Sequence, residues 1–329
     1  MKRRDFIGAI GGAVAASSSL WPHAARAQQM PVIGFLSSQS PGAIPHVLPF
    51  FRQGLAELGL VEGKNVRIEF RWAEDHYDRL PAFAAEFIRD NVAVIIAAGG
   101  NVTALAARKA TATIPIVIPI TADPVKAGLV ESFNRPGGNV TGIALLTVEL
   151  DAKRIEFLCE IVPKAEVIGA LIDASRFEAE TQIKSVKEAA QAVGRPLVIA
   201  SATTEGDFDT AFELLAREKV SAMLVTASPL FTSRRDHIIA LTARYAIPAI
   251  FQFREFAVAG GLVSYGASVT DAYHQAGLYA ARILKGEKPS DLPIVQPTKF
   301  DLVINMKTAK ALGLEVPPAL LARADEVLE

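Results

Sequence analysis

The sequence contains a single cysteine, Cys159, among 329 residues. A lone cysteine excludes an internal disulfide and a zinc site built from several cysteines. Histidine is also scarce: the five histidines are far apart, and neither the HxxxH nor the HExxH spacing occurs. We therefore expect no metal site and no bound cofactor, and a stability that rests on the burial of apolar side chains.

The chain also lacks an excess of charge of either sign. Lys and Arg total 34 and Asp and Glu total 35, which leaves a formal net charge of −1. Without a broad basic field, neither nucleic acid nor an acidic membrane surface is an expected partner. Half of the residues (50%) are hydrophobic, which excludes disorder. At roughly 100–200 residues per domain, the length allows two or three domains.

The first residues have the pattern of an export signal. Lys2-Arg3-Arg4 precedes an uncharged apolar stretch from Phe6 to Leu20, and Ala25-Arg26-Ala27 follows it. The apolar stretch is shorter than the ~20 residues that a membrane-spanning helix needs, so a cleaved leader is expected. The paired arginines resemble the twin-arginine signal, with an ordinary Sec leader as the alternative. We expect cleavage after Ala27 and a periplasmic protein.

Apolar runs alternate with stretches of helical period in the rest of the chain. One series extends from Pro31–Ser38 to Ile114–Thr121, and a similar one extends from Val167–Ile172 to Ala249–Phe253. Runs such as Val92–Ala98 lack polar alternation, which is typical of parallel strands covered on both faces. The pattern predicts an α/β fold with two Rossmann-like, doubly wound lobes joined by a hinge. A TIM barrel is the competing fold, but it would show no break midway along the chain.

The breaks in this pattern predict the domain boundaries. We expect the first lobe to comprise residues 28–146 and 262–296, and the second lobe residues 147–261 and 297–329, after the signal at 1–27. The segments Asn134–Asn139 and Gly260-Gly261 mark two of these breaks. Two exported lobes without disulfides are typical of a cleft-type solute receptor that closes by a hinge motion. We expect such a receptor to be a monomer.

Motifs of catalytic chemistry are missing. No Gly-x-Ser-x-Gly elbow occurs, and Cys159 lies in an amphipathic stretch, where a packed thiol is expected rather than a nucleophile. We therefore predict that the protein is not an enzyme.

In doubly wound sheets the loops after the strands face the cleft. The candidate ligand-binding residues of the first half are the polar residues and a glycine at these positions: Ser37, Ser38, Gln39, Gly100, Asn101, Thr121, Asp123 and Thr147. The corresponding candidates of the second half are Asp173, Ser175, Ser228, Gln252, Phe253 and Tyr265.

Each candidate also has a purely structural interpretation. A carboxylate at Asp123 can pair with a ligand ammonium, but it can equally cap a helix. The backbone amides around Gly100 can cradle an anionic group or simply form a tight turn. Phe253 can cover an apolar part of a ligand or belong to the core, and Tyr265 can reach the cleft or make a structural hydrogen bond. These alternatives stay open at the level of sequence.

Four longer motifs resemble one family. They are Asp123-Pro124-Val125, RPGGNVTG at 135–142, GGLVSYG at 260–266 and LPIVQPTKF at 292–300. All four are similar to segments of ABC-transporter substrate-binding proteins, a family that includes tryptophan- and tyrosine-binding members. The resemblance covers essentially the whole chain after the leader.

The resemblance implies a type I periplasmic binding protein, with two lobes, three crossovers at the hinge and a ligand held between the lobes. It also implies a partner, an ABC-transporter permease in the inner membrane. The expected ligand is a small solute such as an amino acid or an aromatic acid. A sensory receptor that passes its bound state to a signalling partner is the alternative, and an enzyme on the same scaffold is a weaker one.

Overall fold

The computed structural model describes residues 30–329, and the predicted export signal at 1–27 lies outside them. Within the described residues, no helix combines the length and the apolar character that crossing a membrane requires. The chain contains two separate β-sheets, as the two series of apolar runs predict.

The first sheet has five parallel strands in the order β2-β1-β3-β4-β5. They are β1 (Val32–Ser37), β2 (Arg67–Trp72), β3 (Val94–Ala98), β4 (Ile116–Ile120) and β5 (Val140–Ala144). The connecting helices are α1 (Leu48–Glu57), α2 (Leu80–Arg89) and α3 (Asn101–Ala110). Every residue of β3, β4 and β5 is buried, which explains why their sequences lack polar alternation.

The second sheet has seven strands in the order β12-β11-β10-β9-β8-β6-β7. They are β6 (Ile168–Ile172), β7 (Leu197–Ser201), β8 (Ala222–Val225), β9 (Ala249–Phe251), β10 (Val263–Ala267), β11 (Phe300–Asn305) and β12 (Glu326–Leu328). All neighbouring strands are parallel except β10 and β11, which are antiparallel. The predicted α/β architecture with two doubly wound lobes is confirmed.

The remaining helices follow these strands. They are α4 (Asp151–Ile161), α5 (Ala179–Ala192), α6 (Phe208–Arg217), α7 (Pro229–Ser233), α8 (Arg235–Arg244), α9 (Arg254–Val258), α10 (Val269–Leu284), α11 (Met306–Ala311) and α12 (Pro318–Leu321). The short helices α7 and α9 directly follow β8 and β9, where the sequence analysis expects only loops. The Ser-Pro pair at 228–229 marks the start of α7. The Ser228 hydroxyl caps the helix by accepting a hydrogen bond from the Leu230 amide at 3.1 Å, and proline is favoured at the first helical position.

One predicted domain boundary is wrong by the length of one strand. The segment assigned to the first lobe starts at Leu262, but β10 pairs with β9 and with β11 in the second sheet. The chain changes lobes after β10, where Ser268 caps α10 by accepting the amide of Asp271. Gly260-Gly261 forms the turn between α9 and β10, both in the second lobe, and does not mark a change of lobe.

The chain passes between the sheets three times. It leaves β5 for α4, leaves β10 for α10, and returns through the segment that joins Val295 to β11. Val295 forms a bridge with Ile143 of the first sheet, so residues 269–295 pack on the first lobe. One hydrophobic cluster includes buried residues of both lobes, and two further clusters cover the outer faces of the sheets.

Helix α10 contacts α1 at very short range because each helix has a glycine at the crossing. A Cβ atom added at Gly54 would overlap the carbonyl oxygen of His274, and one added at Gly277 would overlap that of Phe51. The crossing therefore requires residues without a side chain at both positions.

We expect Gly54→Ala to lower the free energy of unfolding by about 1–3 kcal/mol, because the two helices must move apart in a packed region. Urea denaturation of the two proteins measures this difference. Gly206→Ala is the control, since its Cβ would meet nothing closer than the Thr204 hydroxyl at 3.7 Å. An equal loss of stability in both variants would contradict this account.

Candidate functional site

A cavity lies between the lobes, at the carboxyl ends of strands from both sheets. Its empty space, counted together with the open mouth, is about 620 Å³. Most of the wall is apolar and comes from both lobes: Ile44, Pro119, Leu145, Pro229, Phe253 and Phe256. Helix α10 adds Val269 and Tyr273.

Polar groups interrupt this wall at a few points. They are contributed by Gln39, His46, Thr121, Ser228, Thr232 and Glu255. Gly99 and Gly100 add backbone at the start of α3, where both residues have a positive φ, 83° and 98°. The cavity therefore combines aromatic and aliphatic surface with a small number of fixed hydrogen-bonding groups.

Five of the residues proposed from the sequence line this cavity: Gln39, Gly100, Thr121, Ser228 and Phe253. Gln39 also bridges the lobes, because its side-chain amide lies 3.4 Å from the carbonyl oxygen of Pro229, to which it donates.

Three other first-lobe candidates, Ser37, Ser38 and Thr147, support neighbouring backbone and do not line the cavity. Ser37 accepts the amide of Gln39 at 3.1 Å, and the hydroxyl of Ser38 donates to the carbonyl of Gly99 at 2.6 Å. Thr147 donates to the carbonyl of Thr121 at 3.1 Å. These three side chains hold the loops from which the cavity is built.

Asp123 forms a local turn instead of facing the cavity. Its Oδ1 accepts the amides of Val125 at 2.9 Å and Lys126 at 3.2 Å, and its Oδ2 lies 3.5 Å from the Lys126 ammonium. Capping of this kind is the structural alternative that the sequence analysis leaves open.

The second-lobe candidates Asp173 and Ser175 form a hydrogen-bonded group with Ser228. The carboxylate of Asp173 accepts both serine hydroxyls at 2.6 Å. Ser175 faces a separate groove that also includes Phe177, and Asp173 lies behind Ser228. Of the three, only Ser228 is part of the cavity wall.

Gln252 and Tyr265 do not line the cavity. Gln252 is fully buried, and its side-chain amide has no hydrogen-bond partner among the described residues. The Tyr265 ring packs against Phe157 with centroids 4.9 Å apart, next to a hydrophobic cluster of the second lobe.

Sequence reasoning missed three chemically informative cavity residues: His46, Glu255 and Tyr273. Tyr273 follows Val269 by four positions, so both share one face of a predicted helix, but nothing in the sequence says which face meets the cleft. His46 looks like an isolated histidine, because its partner Glu255 is distant in sequence. Thr232 and Phe256 lie on the two short helices that the sequence analysis does not expect.

His46 and Glu255 form a contact between the lobes. The His46 Nε2 atom lies 3.3 Å from Glu255 Oε1. Burial by itself raises the pKa of Glu255. The hydrogen bonds from His46 and from a backbone amide lower this pKa, and so do the positive charges of His46 and Arg254. The lowering effects are the larger, so the net pKa of Glu255 lies below its usual range. Burial alone raises the pKa of the Tyr273 phenol, which stays protonated.

Further polar contacts cross the cleft around the cavity. Ser233 donates to Asp75 at 3.1 Å, and Arg235 donates to the carbonyl of Ala43 at 3.0 Å. Asn101 donates to the buried carboxylate of Glu178. Burial raises the pKa of Asp75, although the hydrogen bond from Ser233 and the nearby Arg234 oppose the change. With so many bridges, the two lobes are held in a closed arrangement.

Arg154 occupies the junction between the lobes. Its guanidinium is fully buried and donates at 2.7 Å to each of three partners: the carbonyl of Thr147, the carbonyl of Tyr265 and the carboxylate of Asp151. Thr147 and Tyr265 flank two of the three crossovers, so one side chain ties both together. Burial raises the pKa of Asp151, while Arg154 and the hydrogen bond from Gln182 lower it, and the net pKa is raised.

We expect Arg154→Met to reduce the free energy of unfolding by about 3 kcal/mol or more at pH 7, because Asp151 loses its buried cation. Without that cation the folded-state pKa of Asp151 lies further above its unfolded value. The stability that its protonation contributes is present below the unfolded pKa and is lost as the pH rises through the folded pKa. Chemical denaturation of variant and wild type at pH 4.5 and pH 7 tests this, and a deficit that grows on acidification would contradict it.

Two α/β lobes joined by three crossovers around a cavity define the type I periplasmic binding protein fold. The chain matches the family of ABC transporter substrate binding proteins over residues 35–328, and it belongs to this family. The family assignment and the fold implied by the sequence motifs are thus confirmed.

Individual relatives support the same assignment. The chain is similar to the tyrosine-binding protein of Clostridioides difficile (strain R20291), with 28% identity over 266 residues, 80% of this chain and 76% of that protein. The structure resembles an ABC domain from Streptococcus pneumonia in complex with L-Trp, with a TM-score of 0.82, 24% identity and coverage of 91% and 99%. It also resembles the ligand-free, open structure of a substrate-binding protein with adhesive properties from Clostridium difficile, with a TM-score of 0.66, 28% identity and coverage of 91% and 99%.

Proposed function

We propose that this protein is the solute-binding component of an ABC importer, and that it encloses a small amphipathic solute, an amino acid or an aromatic acid, in the cavity between its lobes. The observation that carries the proposal is the composition of that cavity. Aromatic rings from both sides, those of Phe253, Phe256 and Tyr273, surround a space that also contains a few fixed polar groups.

The chemistry of the wall suits such a solute. Flat apolar groups pack well against aromatic rings, and burial of a ring can contribute several kcal/mol, about 25 cal/mol per Å² of apolar surface. The peptide backbone at Gly99 and Gly100 opens α3, a helix of 10 residues, and its amides favour an anionic group such as a carboxylate. Gln39 and Thr121 lie at the same edge of the cavity.

The closed arrangement of the lobes supports binding by enclosure. The structures of the L-Trp complex and of the ligand-free, open protein are both matched over 91% of this chain, yet the TM-scores are 0.82 and 0.66. The backbone of this protein, with both lobes taken together, thus superimposes better on the L-Trp complex than on the ligand-free, open structure. Since the solute would contact both lobes, its binding energy would favour the closed state over an open one.

The proposal includes export and a membrane partner. Residues 1–27 would direct the protein to the periplasm as a signal of the twin-arginine type, cleaved after Ala27. A monomer with both lobes closed on its solute would deliver it to a permease in the inner membrane. The protein would release the solute chemically unaltered.

A screen of small solutes by thermal unfolding tests this function. We expect L-tryptophan, L-tyrosine or a related aromatic acid to raise the melting temperature, because a ligand that binds only the folded state stabilises it, by about 2.7 kcal/mol at one hundred times its dissociation constant. The protein is purified from the periplasm, and the bound compound is recovered and analysed. Absence of stabilisation by every solute, or recovery of a transformed compound, would contradict the proposal.

The phenol of Tyr273 offers a sharper test of the cavity. We expect Tyr273→Phe to weaken the affinity for the solute found in the screen about five- to tenfold, the usual effect of losing one hydrogen bond. Calorimetry measures the affinity. Tyr279→Phe is the matched control on the same helix, because its hydroxyl donates to the carbonyl of Pro293 at 2.7 Å and lies outside the cavity. Equal affinities in both variants would show that the Tyr273 hydroxyl does not bind the solute.

A further inference from the structure

The contact between His46 and Glu255 separates two spaces. Both residues line the cavity, and both also line a second, open groove, whose empty space counted in the same way is about 1250 Å³. His46 belongs to the first lobe, between β1 and α1, and Glu255 belongs to α9 of the second lobe. The pair therefore forms part of the wall that closes when the lobes meet.

Glu255 is distinct among the groups that a solute can reach. Among the described residues that line the cavity, it has the one carboxylate and His46 has the one imidazole. Its side chain is only 17% exposed. A buried carboxylate is costly unless a cation or several hydrogen bonds compensate it, and its lowered pKa means that it carries its charge at neutral pH.

The other charged groups near this pair are engaged elsewhere. On the side of the groove, Arg254 binds Glu326 through two hydrogen bonds of 2.5 and 2.6 Å. Asp301 lies 3.0 Å from the ammonium of Lys299, and Arg235 lies 3.7 Å from Asp236. On the side of the cavity the titratable neighbour is the phenol of Tyr273, which is uncharged. His46 is thus the direct partner of the Glu255 carboxylate.

We infer that Glu255 determines the specificity of the cavity by binding the positively charged group of the solute, and that this cation replaces His46 as the partner of the carboxylate. This inference rests on the proposed function and assigns the charge that the solute carries. An ammonium offers three donors and a full charge, whereas the imidazole of His46 meets the carboxylate with a single ring nitrogen.

Two probes that share one ring system test the specificity: L-tryptophan, and indole-3-propionate, which lacks the ammonium. Calorimetry at pH 7.5 gives both affinities. We expect wild type to prefer L-tryptophan and Glu255→Gln to lose this preference about tenfold or more, the usual effect of a hydrogen bond to a charged group. Indole-3-propionate should bind both proteins equally, which shows that the variant is folded. Asp123→Asn is the control, because it removes a carboxylate that does not line the cavity. This variant should prefer L-tryptophan over indole-3-propionate as strongly as wild type does.

The His46→Gln variant gives a second, independent readout at pH 7.5. If the ammonium takes the place of His46, this variant should bind L-tryptophan at least as tightly as wild type and keep the preference over indole-3-propionate. If Glu255→Gln fails to fold, this comparison decides alone. An unchanged preference in Glu255→Gln, or a loss of the preference in His46→Gln, would overturn the inference and leave the proposed function standing, because the probes still bind. If neither probe binds wild type, the proposed function fails for aromatic solutes, and the inference fails with it.

Discussion

The burial of one positive charge underlies the arrangement of the two lobes. Arg154 lies where the chain passes from one sheet to the other, and its Nε and Nη1 atoms donate to the carbonyl oxygens of Thr147 and Tyr265 and to the carboxylate of Asp151, whereas its Nη2 atom has no partner among the described residues. A buried carbonyl group needs a hydrogen-bond partner, and near a crossover a side chain can supply it. A guanidinium provides several donors in a fixed plane, so one side chain can satisfy segments of the chain that are distant in sequence.

The cavity follows from the same topology. In parallel sheets every carboxyl end lies at one edge, so two such sheets facing each other bring their loops into one cleft. The short helices α7 and α9 then direct Pro229 and Phe256 into that cleft, although they are too short to be recognised from hydrophobic periodicity. Side chains such as Ser38 and Thr147 do not face the cavity, but their hydrogen bonds to the carbonyl groups of Gly99 and Thr121 fix the position of the loops around it.

Most of the architecture could be predicted from the sequence, because it depends on local periodicity. Strands without polar alternation, the helix at Val269–Leu284 and the division into two sheets all follow from residues that are close in sequence. The boundary at Leu262 was wrong because a glycine pair marks a turn equally well whether or not the chain changes lobes. Among the candidate residues, the sequence could place side chains at strand ends but could not say which of two adjacent positions faces the cavity, as for Gln252 and Phe253.

Contacts across the cleft could not be predicted, because they depend on how two separately folded units meet. Many polar groups at the cavity already have protein partners in the closed arrangement: Ser228 donates to Asp173, and Gln39 to the carbonyl of Pro229. A solute that enters must therefore compete with existing hydrogen bonds, and its affinity is the difference between the bonds made and the bonds lost. A solute with groups in the wrong places leaves buried donors or acceptors unpaired, at about 1–3 kcal/mol each. Selectivity in such a cavity comes from that penalty and from the charge at Glu255, while the aromatic walls supply affinity that many apolar solutes would share.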